Sequence, residues 1–345
     1  MARPSSPITA WAQYLGARLA AMGLTMFDVE TNERSAAALG RALYRFDRRH
    51  RERACGHIAM AFPQWDEAKV DRVARASFEH FMQLAVEVLH TPRVLHEDSW
   101  AERIRIRNLG PAIDLLNAGQ PVILLTGHLG NWEVLGYLLA LLGYDIDALA
   151  RPIDNPLINR WLLGIREARG MRIITKWDAT QRMIEVLEGG GALGFIADQN
   201  AGDKGMFVPF FGKLASTYKS IGLLAMNLEV PVVCGYAHRL GRRYAYEVGS
   251  ADVIRPEEWA DQPDPLFYIT ARYIRAIETM IRMRPEQYLW MHRRWKSRPR
   301  HERQGKPIPR TLRRRLESLP WMDETQLEQL EAARDKPGSP VIMQA

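Results

Sequence analysis

Along the first 60 residues apolar side chains recur every three or four positions, as in Trp11, Leu15, Leu19 and Met22, then Leu39, Leu43 and Phe46. That period gathers them on one face of a helix, so two amphipathic helices are predicted, over residues 8–22 and 36–49. From residue 121 the pattern changes. Short apolar, β-rich runs at 122–125, 146–150, 171–174, 192–197 and 232–236 alternate with helical stretches at 132–142, 157–168, 179–187 and 218–228. Such alternation predicts an α/β fold, with a largely parallel central sheet flanked by helices. A hairpin-like pair around 238–248, a helix over 265–284 and a strand at 288–291 complete the compact part. Past Lys296 the chain turns rich in Arg and Pro and ends in a Pro/Gly/Ser stretch, which predicts a loosely attached tail. The expected organisation is amphipathic helices over 1–60, an α/β domain over 61–296 and a basic, loosely ordered tail over 297–345.

Composition narrows the partners. The formal charge of +7 over 345 residues favours anionic ones. A basic cluster, Arg45, Arg48, Arg49, Arg51 and Arg53, follows the apolar face of the second helix, as in a helix that lies at a membrane interface; a solvated helix packed on its own domain fits equally well. No apolar run approaches the roughly 18 residues that a spanning helix needs. The N-terminal stretch, broken by Arg18, does not read as a signal peptide. The arginines of 298–315 lack interleaved aromatics, so anionic lipid head groups explain them better than a nucleic acid does. Cys55 and Cys234 stand too far apart in sequence for a metal motif or a disulfide framework, which suits a reducing compartment.

In a parallel sheet, ligands gather past the carboxyl ends of the strands. There the chain carries Thr126-Gly127-His128-Leu129-Gly130-Asn131-Trp132-Glu133, then Arg151, Lys176 and Asp198-Gln199-Asn200. His128 and Glu133 are five apart, about 140° around a helix, so only a strand-to-helix turn brings them together. Gly127 and Gly130 allow such a turn. A neutral imidazole held by a carboxylate suits proton abstraction from a hydroxyl, with the N–H groups of Gly130 and Asn131 and the Arg151 guanidinium as candidates to hold an oxyanion. The alternative is a hydrogen-bonded core histidine with a helix-capping acid. No G-x-S-x-G is present, which favours direct transfer over a covalent intermediate. The five-residue spacing argues against zinc, and no metal is expected. Met206, Phe207, Phe210 and Phe211 read as the lining of an apolar tunnel, a membrane-dipping lid or core. His292, Arg293, Arg294 and Lys296 read as a positive rim for phosphate or an acidic carrier protein, or as a solvated charge run.

The segment TGHLGNWE resembles the His-x4-Asp/Glu motif of the lysophospholipid acyltransferase superfamily. ARPIDNP (150–156), ADQNAGDKGMFVPFFGKLAST (197–217) and EQYLWMHRRWK (286–296) resemble the branch that adds late, lauroyl- or myristoyl-type chains in lipid A biosynthesis. The likeness covers residues 44–296. It implies His128 as base, Glu133 or Asp198 as its carboxylate partner, Arg151 as a substrate or oxyanion contact, and the 198–212 block as part of the substrate pocket. Within that block the expected contacts are Gln199, Lys204, Phe210 and Phe211. The implied reaction moves an acyl chain from acyl carrier protein or acyl-CoA to a hydroxyl of an anionic glycolipid, without an organic cofactor. Alternatives are an acyltransferase for another glycolipid or phospholipid, and a non-catalytic anionic-lipid-binding homologue. Many members of that branch begin with a spanning segment and none is evident here. Peripheral attachment to the cytoplasmic face of a bacterial inner membrane is therefore expected, through the N-terminal helices and basic residues.

Overall fold

The computed structural model describes residues 6–150, 152–167, 170–175 and 179–332. Four helices come first: α1 Pro7–Thr25, α2 Val29–Phe46, α3 Arg48–Ala61 and α4 Glu67–Val94. Each begins where a Ser or Asp side chain accepts a first-turn N–H, namely Ser6 from Thr9, Asp28 from Thr31, Asp47 from His50 and Asp66 from Lys69, satisfying donors that the helix itself leaves open. Asp47 thus divides the arginine cluster, ending α2 and opening α3. Of that cluster, Arg53 is buried and donates to the Met291 carbonyl at 3.0 Å, and Arg51 donates to the carbonyls of Tyr44 and Arg45. Those two cations hold the fold together instead of facing a lipid surface.

A short α5 Trp100–Arg103 leads into β1 Ile104–Arg107 and α6 Gly110–Asn117. The alternation then runs β2 Val122–Thr126, α7 Trp132–Leu141, β3 Ile146–Leu149, α8 Pro156–Arg166, β4 Arg172–Ile174, α9 Ala179–Glu188 and β5 Ala192–Ile196. Next come β6 Met206–Phe210, β7 Lys213–Thr217, α10 Ser220–Asn227, β8 Val232–Arg239, β9 Tyr246–Ile254, α11 Pro256–Trp259 and α12 Pro265–Met283. After a 3-10 turn Pro285–Gln287 the chain ends in α13 Arg300–Arg303, α14 Arg310–Glu317 and α15 Glu324–Ala332. The seven-stranded sheet has the order β1-β9-β8-β2-β5-β3-β4. β2 pairs in parallel with β5 and β8, β3 with β4 and β5, and β1 with β9, while β8 and β9 pair antiparallel.

Strand alternation sorts the side chains onto two faces. Ile123, Leu125, Leu193, Phe195, Val232 and Cys234 point into one core, roofed mainly by α4, α10 and α12. Val122, Ala192 and Val233 point into the other, under α6 and α7.

Two expectations are corrected, and one element is added. Residues 288–291 form no strand: Tyr288 makes a single isolated bridge to Leu129, because the 3-10 turn starting at Pro285 delivers the segment beneath the 128–130 turn. Residues 297–332 are not a loose tail, since Leu316, Leu319, Leu327 and Leu330 are buried in the main core. The 206–217 segment is an antiparallel hairpin. Its tip, Phe211-Gly212, has φ of 51° and 65°, the doubly positive geometry of a tight hairpin turn.

Candidate active site

The His128 turn is positioned by sheet register. Thr126 on β2 sits opposite Ile196 on β5, and the Ala197 N–H carries the ladder one step further to the Thr126 carbonyl at 2.8 Å. Residues two beyond each partner, His128 and Asp198, therefore leave adjacent strand ends at the same level. Their side chains meet: His128 Nδ1 lies 2.6 Å from Asp198 Oδ1, with the carboxylate fully buried and the imidazole 13 % exposed. Burial alone would raise the Asp198 pKa, but the charge and hydrogen bond of His128, with the charge of His292, outweigh it and hold the carboxyl below its ordinary range. An ionised carboxylate only accepts hydrogen bonds, so it fixes the proton on Nδ1 and leaves Nε2 as the accepting nitrogen. Nε2 lies 3.4 Å from the side-chain nitrogen of Gln199.

Glu133 sits elsewhere. Its two oxygens accept from Arg166 Nε and NH2 on α8 at 2.9 and 2.5 Å. The bidentate geometry commits this carboxylate to the guanidinium.

The turn itself is pinned from below. Gly130 has φ +55°, and a Cβ there would stand 2.1 Å from the Ala237 carbonyl, so no other residue fits. Its N–H donates to the Gln287 carbonyl at 2.9 Å, the Asn131 N–H donates to the Ala237 carbonyl at 2.8 Å, and His80 meets the Gly130 carbonyl at 3.0 Å. The expectation that the N–H groups of Gly130 and Asn131 hold an oxyanion is thereby corrected: both are spent on backbone carbonyls. The buried Asn131 side chain caps α7 through the Val134 N–H and donates to Glu87 at 2.8 Å. Gly127, also expected to take an unusual angle, does not have positive φ; it lets Ile277 and Asp198 come close.

Other expected contacts are dispersed. Arg151 lies outside the described residues. Lys204 and Arg293 are exposed. Arg294 is buried and donates to the carbonyls of Gln199 and Ser216 and to Thr217 Oγ1, so it is a strut under the 199–217 block and not a rim cation. Phe210 and Phe211 are also buried. The first stacks on Trp295 and the second packs edge-on against Phe62 and Trp290, which places both in the core, the last of the three readings of that segment.

Two rings stand beside His128, Trp132 from the same strand-end segment and His292, which the sequence reads as part of a positive rim or charge run. The Trp132 ring meets His128 edge-on with centroids 5.0 Å apart, and His292 approaches to 4.7 Å. Burial, with the charge of His128 next, pushes the His292 pKa down to about 4, so this second imidazole stays neutral at neutral pH.

An apolar cavity of about 120 Å³, partly open to solvent, lies between the sheet and α6 and α7. Its walls exist because the strand positions facing α7 are small: Ala148, Gly194 and Gly235, with Gly136 on α7 itself. Trp132, Glu133 and Arg166 also line it, which brings its lining to the ring that meets His128 edge-on.

A largely parallel sheet with an imidazole–carboxylate pair at its strand ends, near an apolar cavity, suits acid–base chemistry on an apolar substrate. Residues 5–297 match the family model described as bacterial lipid A biosynthesis acyltransferase, and the chain belongs to that family. It is 25 % identical over 273 residues to the lipid A biosynthesis lauroyltransferase of Escherichia coli K12, covering 77 % of this chain and 85 % of that protein. It is 24 % identical over 298 residues to the lipid A biosynthesis myristoyltransferase of the same organism, covering 84 % and 88 %. Lipid A biosynthesis acyltransferase 2 of Shigella flexneri is 21 % identical over 285 residues, covering 81 % and 88 %. The chain is accordingly an O-acyltransferase of lipid A biosynthesis, acting between an acyl donor and a lipid acceptor.

Proposed function

We propose that His128 is the general base of direct acyl transfer from a thioester, carried by acyl carrier protein or coenzyme A, to a hydroxyl of an anionic glycolipid. The observation that carries this reading is the 2.6 Å contact between His128 Nδ1 and the buried Asp198. It leaves Nε2 free to take the hydroxyl proton as the oxygen attacks the thioester carbon, and Asp198 stabilises the imidazolium that forms. The C–O bond forms, the C–S bond breaks, and the proton passes from Nε2 to the departing thiolate. With the turn's N–H groups engaged, the Gln199 side-chain amide, 3.4 Å from His128 Nε2, is the donor this reading offers to the developing oxyanion. The acyl chain lies in the cavity between the sheet and α7, and the Arg166–Glu133 pair holds its mouth in shape.

Membrane contact is peripheral in this reading. Among the described residues no helix is long and apolar enough to cross a membrane. α1 exposes Ile8, Trp11, Leu15, Leu19, Met22 and Met26 at helical spacing, each more than half accessible, and such a face enters the head-group region of a bilayer. Location on the cytoplasmic face of a bacterial inner membrane follows from where acyl carrier protein and coenzyme A thioesters are held. The test is incubation of the folded protein with radiolabelled acyl donors of both kinds and a panel of lipid acceptors. Product with an anionic glycolipid is expected; no product with any combination overturns the enzyme reading in favour of a lipid-binding homologue.

A further inference from the structure

Next to the His128 turn, α2, α4, the β8–β9 turn and the 3-10 turn enclose a second cleft, polar and open to solvent, of about 560 Å³. One lining residue, Arg239, is only 5 % exposed. It donates to Glu33 at 2.9 Å and pairs with Glu87, while its Nε has no hydrogen-bond partner among the described residues. Arg41 is taken by Glu79 at 2.9 Å. Arg34, Arg242 and Arg284 line the same cleft, are exposed, and make no ion pair among the described residues, although Asp28 feels the charge of Arg34 through space. Against these three guanidinium groups stands one unpaired lining carboxylate, Glu286. The excess positive charge calls for an anion, and several guanidinium groups around one space suit the many oxygens of a phosphate.

The cleft also adjoins the reacting groups. His80 and Gln287 line both it and the narrow gap that contains His128 and Trp132, and Trp132 in turn lines the apolar cavity. Those same two residues bond the carbonyl and the N–H of Gly130. His128 thus stands between an apolar space and a cationic one.

We propose that the Arg34–Arg242–Arg284 cleft binds a phosphate group of the acceptor lipid, holding its head group so that the hydroxyl reaches His128 while the acyl chain occupies the apolar cavity. The identity of the phosphate carrier rests on the acyl-transfer reading; the anion site itself does not. A phosphate of the donor's pantetheine arm has the same chemistry, and kinetics separate the two sources.

The test uses the full chain and the double variant Arg242→Ala/Arg284→Ala, with the single variant Arg284→Gln as a milder companion and thermal melts to establish folding. Calorimetric titration with inorganic phosphate should show binding that the double variant weakens by about 10- to 100-fold, since one hydrogen bond to a charged group is worth roughly a tenfold change or more. Steady-state kinetics should show that the wild-type preference for a phosphorylated acceptor over its dephosphorylated counterpart collapses in the double variant through KM. Equal phosphate binding by folded wild type and variant overturns the site. A rise in donor KM in place of acceptor KM overturns the assignment to the acceptor. If the wild-type chain transfers no acyl group at all, the acyl-transfer reading fails separately and the phosphate titration still decides the cleft.

Discussion

The substitution Asp198→Asn tests the site most directly, because it keeps the shape of the side chain and removes its charge. With the carboxylate fully buried and 2.6 Å from His128 Nδ1, the charge centres of a carboxylate–imidazolium pair lie about 4 Å apart. At an effective dielectric constant of about 20 their attraction is about 4 kcal/mol. A neutral amide retains roughly 1 kcal/mol of that as an ordinary hydrogen bond. The remaining 3 kcal/mol or so is stabilisation that exists only once the imidazole is protonated, and its loss lowers kcat about 10²-fold. If the new amide turns its N–H toward Nδ1, it fixes the opposite tautomer and extends the loss toward about 10⁴. The assay is radiolabelled acyl transfer at saturating donor and acceptor, with circular dichroism to establish that the variant is folded. Glu133→Gln provides the contrast: it frees Arg166 at the cavity mouth, so donor KM should rise more than kcat falls. Near-normal kcat in folded Asp198→Asn would refute the charge argument and return the partner role to another group.

Gly194→Leu should project into the apolar cavity and displace about four methylenes of a bound chain, at about 0.8 kcal/mol each. kcat/KM for the longest accepted donor should then fall by roughly 10² relative to a donor four carbons shorter; an equal fall across chain lengths in competition assays would remove the cavity as the acyl site. Acid should destabilise the fold well above the carboxylate range. Burial, with Arg239 next, pushes His80 down to about 4, and burial with Arg284 pushes His238 down to about 3, both from 6.5. Between those values and 6.5 the unfolded chain binds protons that the folded one refuses, so stability is full above about pH 6.5 and falls as pH drops toward 4, by about 3 kcal/mol for His80 alone. Urea melts at pH 7 and 4.5 check this, and His80→Gln should flatten the dependence; identical melts at the two pH values would contradict it. Binding to anionic vesicles should weaken on removal of residues 1–26 and, for the intact chain, should fall partly as salt shortens the Debye length from about 10 Å at 0.1 M to about 3 Å at 1 M. Co-sedimentation indifferent to both changes would move the membrane contact away from α1.

The α/β half of the chain was legible in sequence because its elements obey local rules. The runs around Ile123, Ile146 and Leu193 are apolar and short, and the intervening helices are amphipathic. The partner of His128 was not legible in the same way. Glu133 is near in sequence, whereas Asp198 becomes a neighbour only because β2 and β5 lie side by side with Thr126 opposite Ile196, and strand order is a tertiary fact. The 206–217 hairpin was missed for a different reason: Pro209 argues against a strand, and Phe211 is an unusual residue for a turn position with positive φ. Its alternating burial, with Met206, Val208 and Phe210 inward, was nonetheless present in the residue pattern. The oxyanion assignment failed because a free N–H cannot be told from an engaged one until the carbonyls of Ala237 and Gln287 are placed.

The ion pairs of Arg239 decide how the chain can be divided. This guanidinium stands at the end of β8 and is neutralised by Glu33 of α2 and Glu87 of α4. Burial lifts the Glu33 carboxyl above its ordinary range against the pull of Arg239, with Glu87 adding to the rise, so the three groups form a unit in which each needs the others. Removing α2 would leave the buried Arg239 with Glu87 alone and one guanidinium donor without its partner, a loss of about 1–3 kcal/mol out of the 5–15 kcal/mol or so that holds an ordinary domain folded. The boundary expected near residue 60 is therefore not a seam at which modules were joined. A cut before Asp28 spares this unit and gives up instead the hydrogen bonds that Asn155 and Arg93 make to α1.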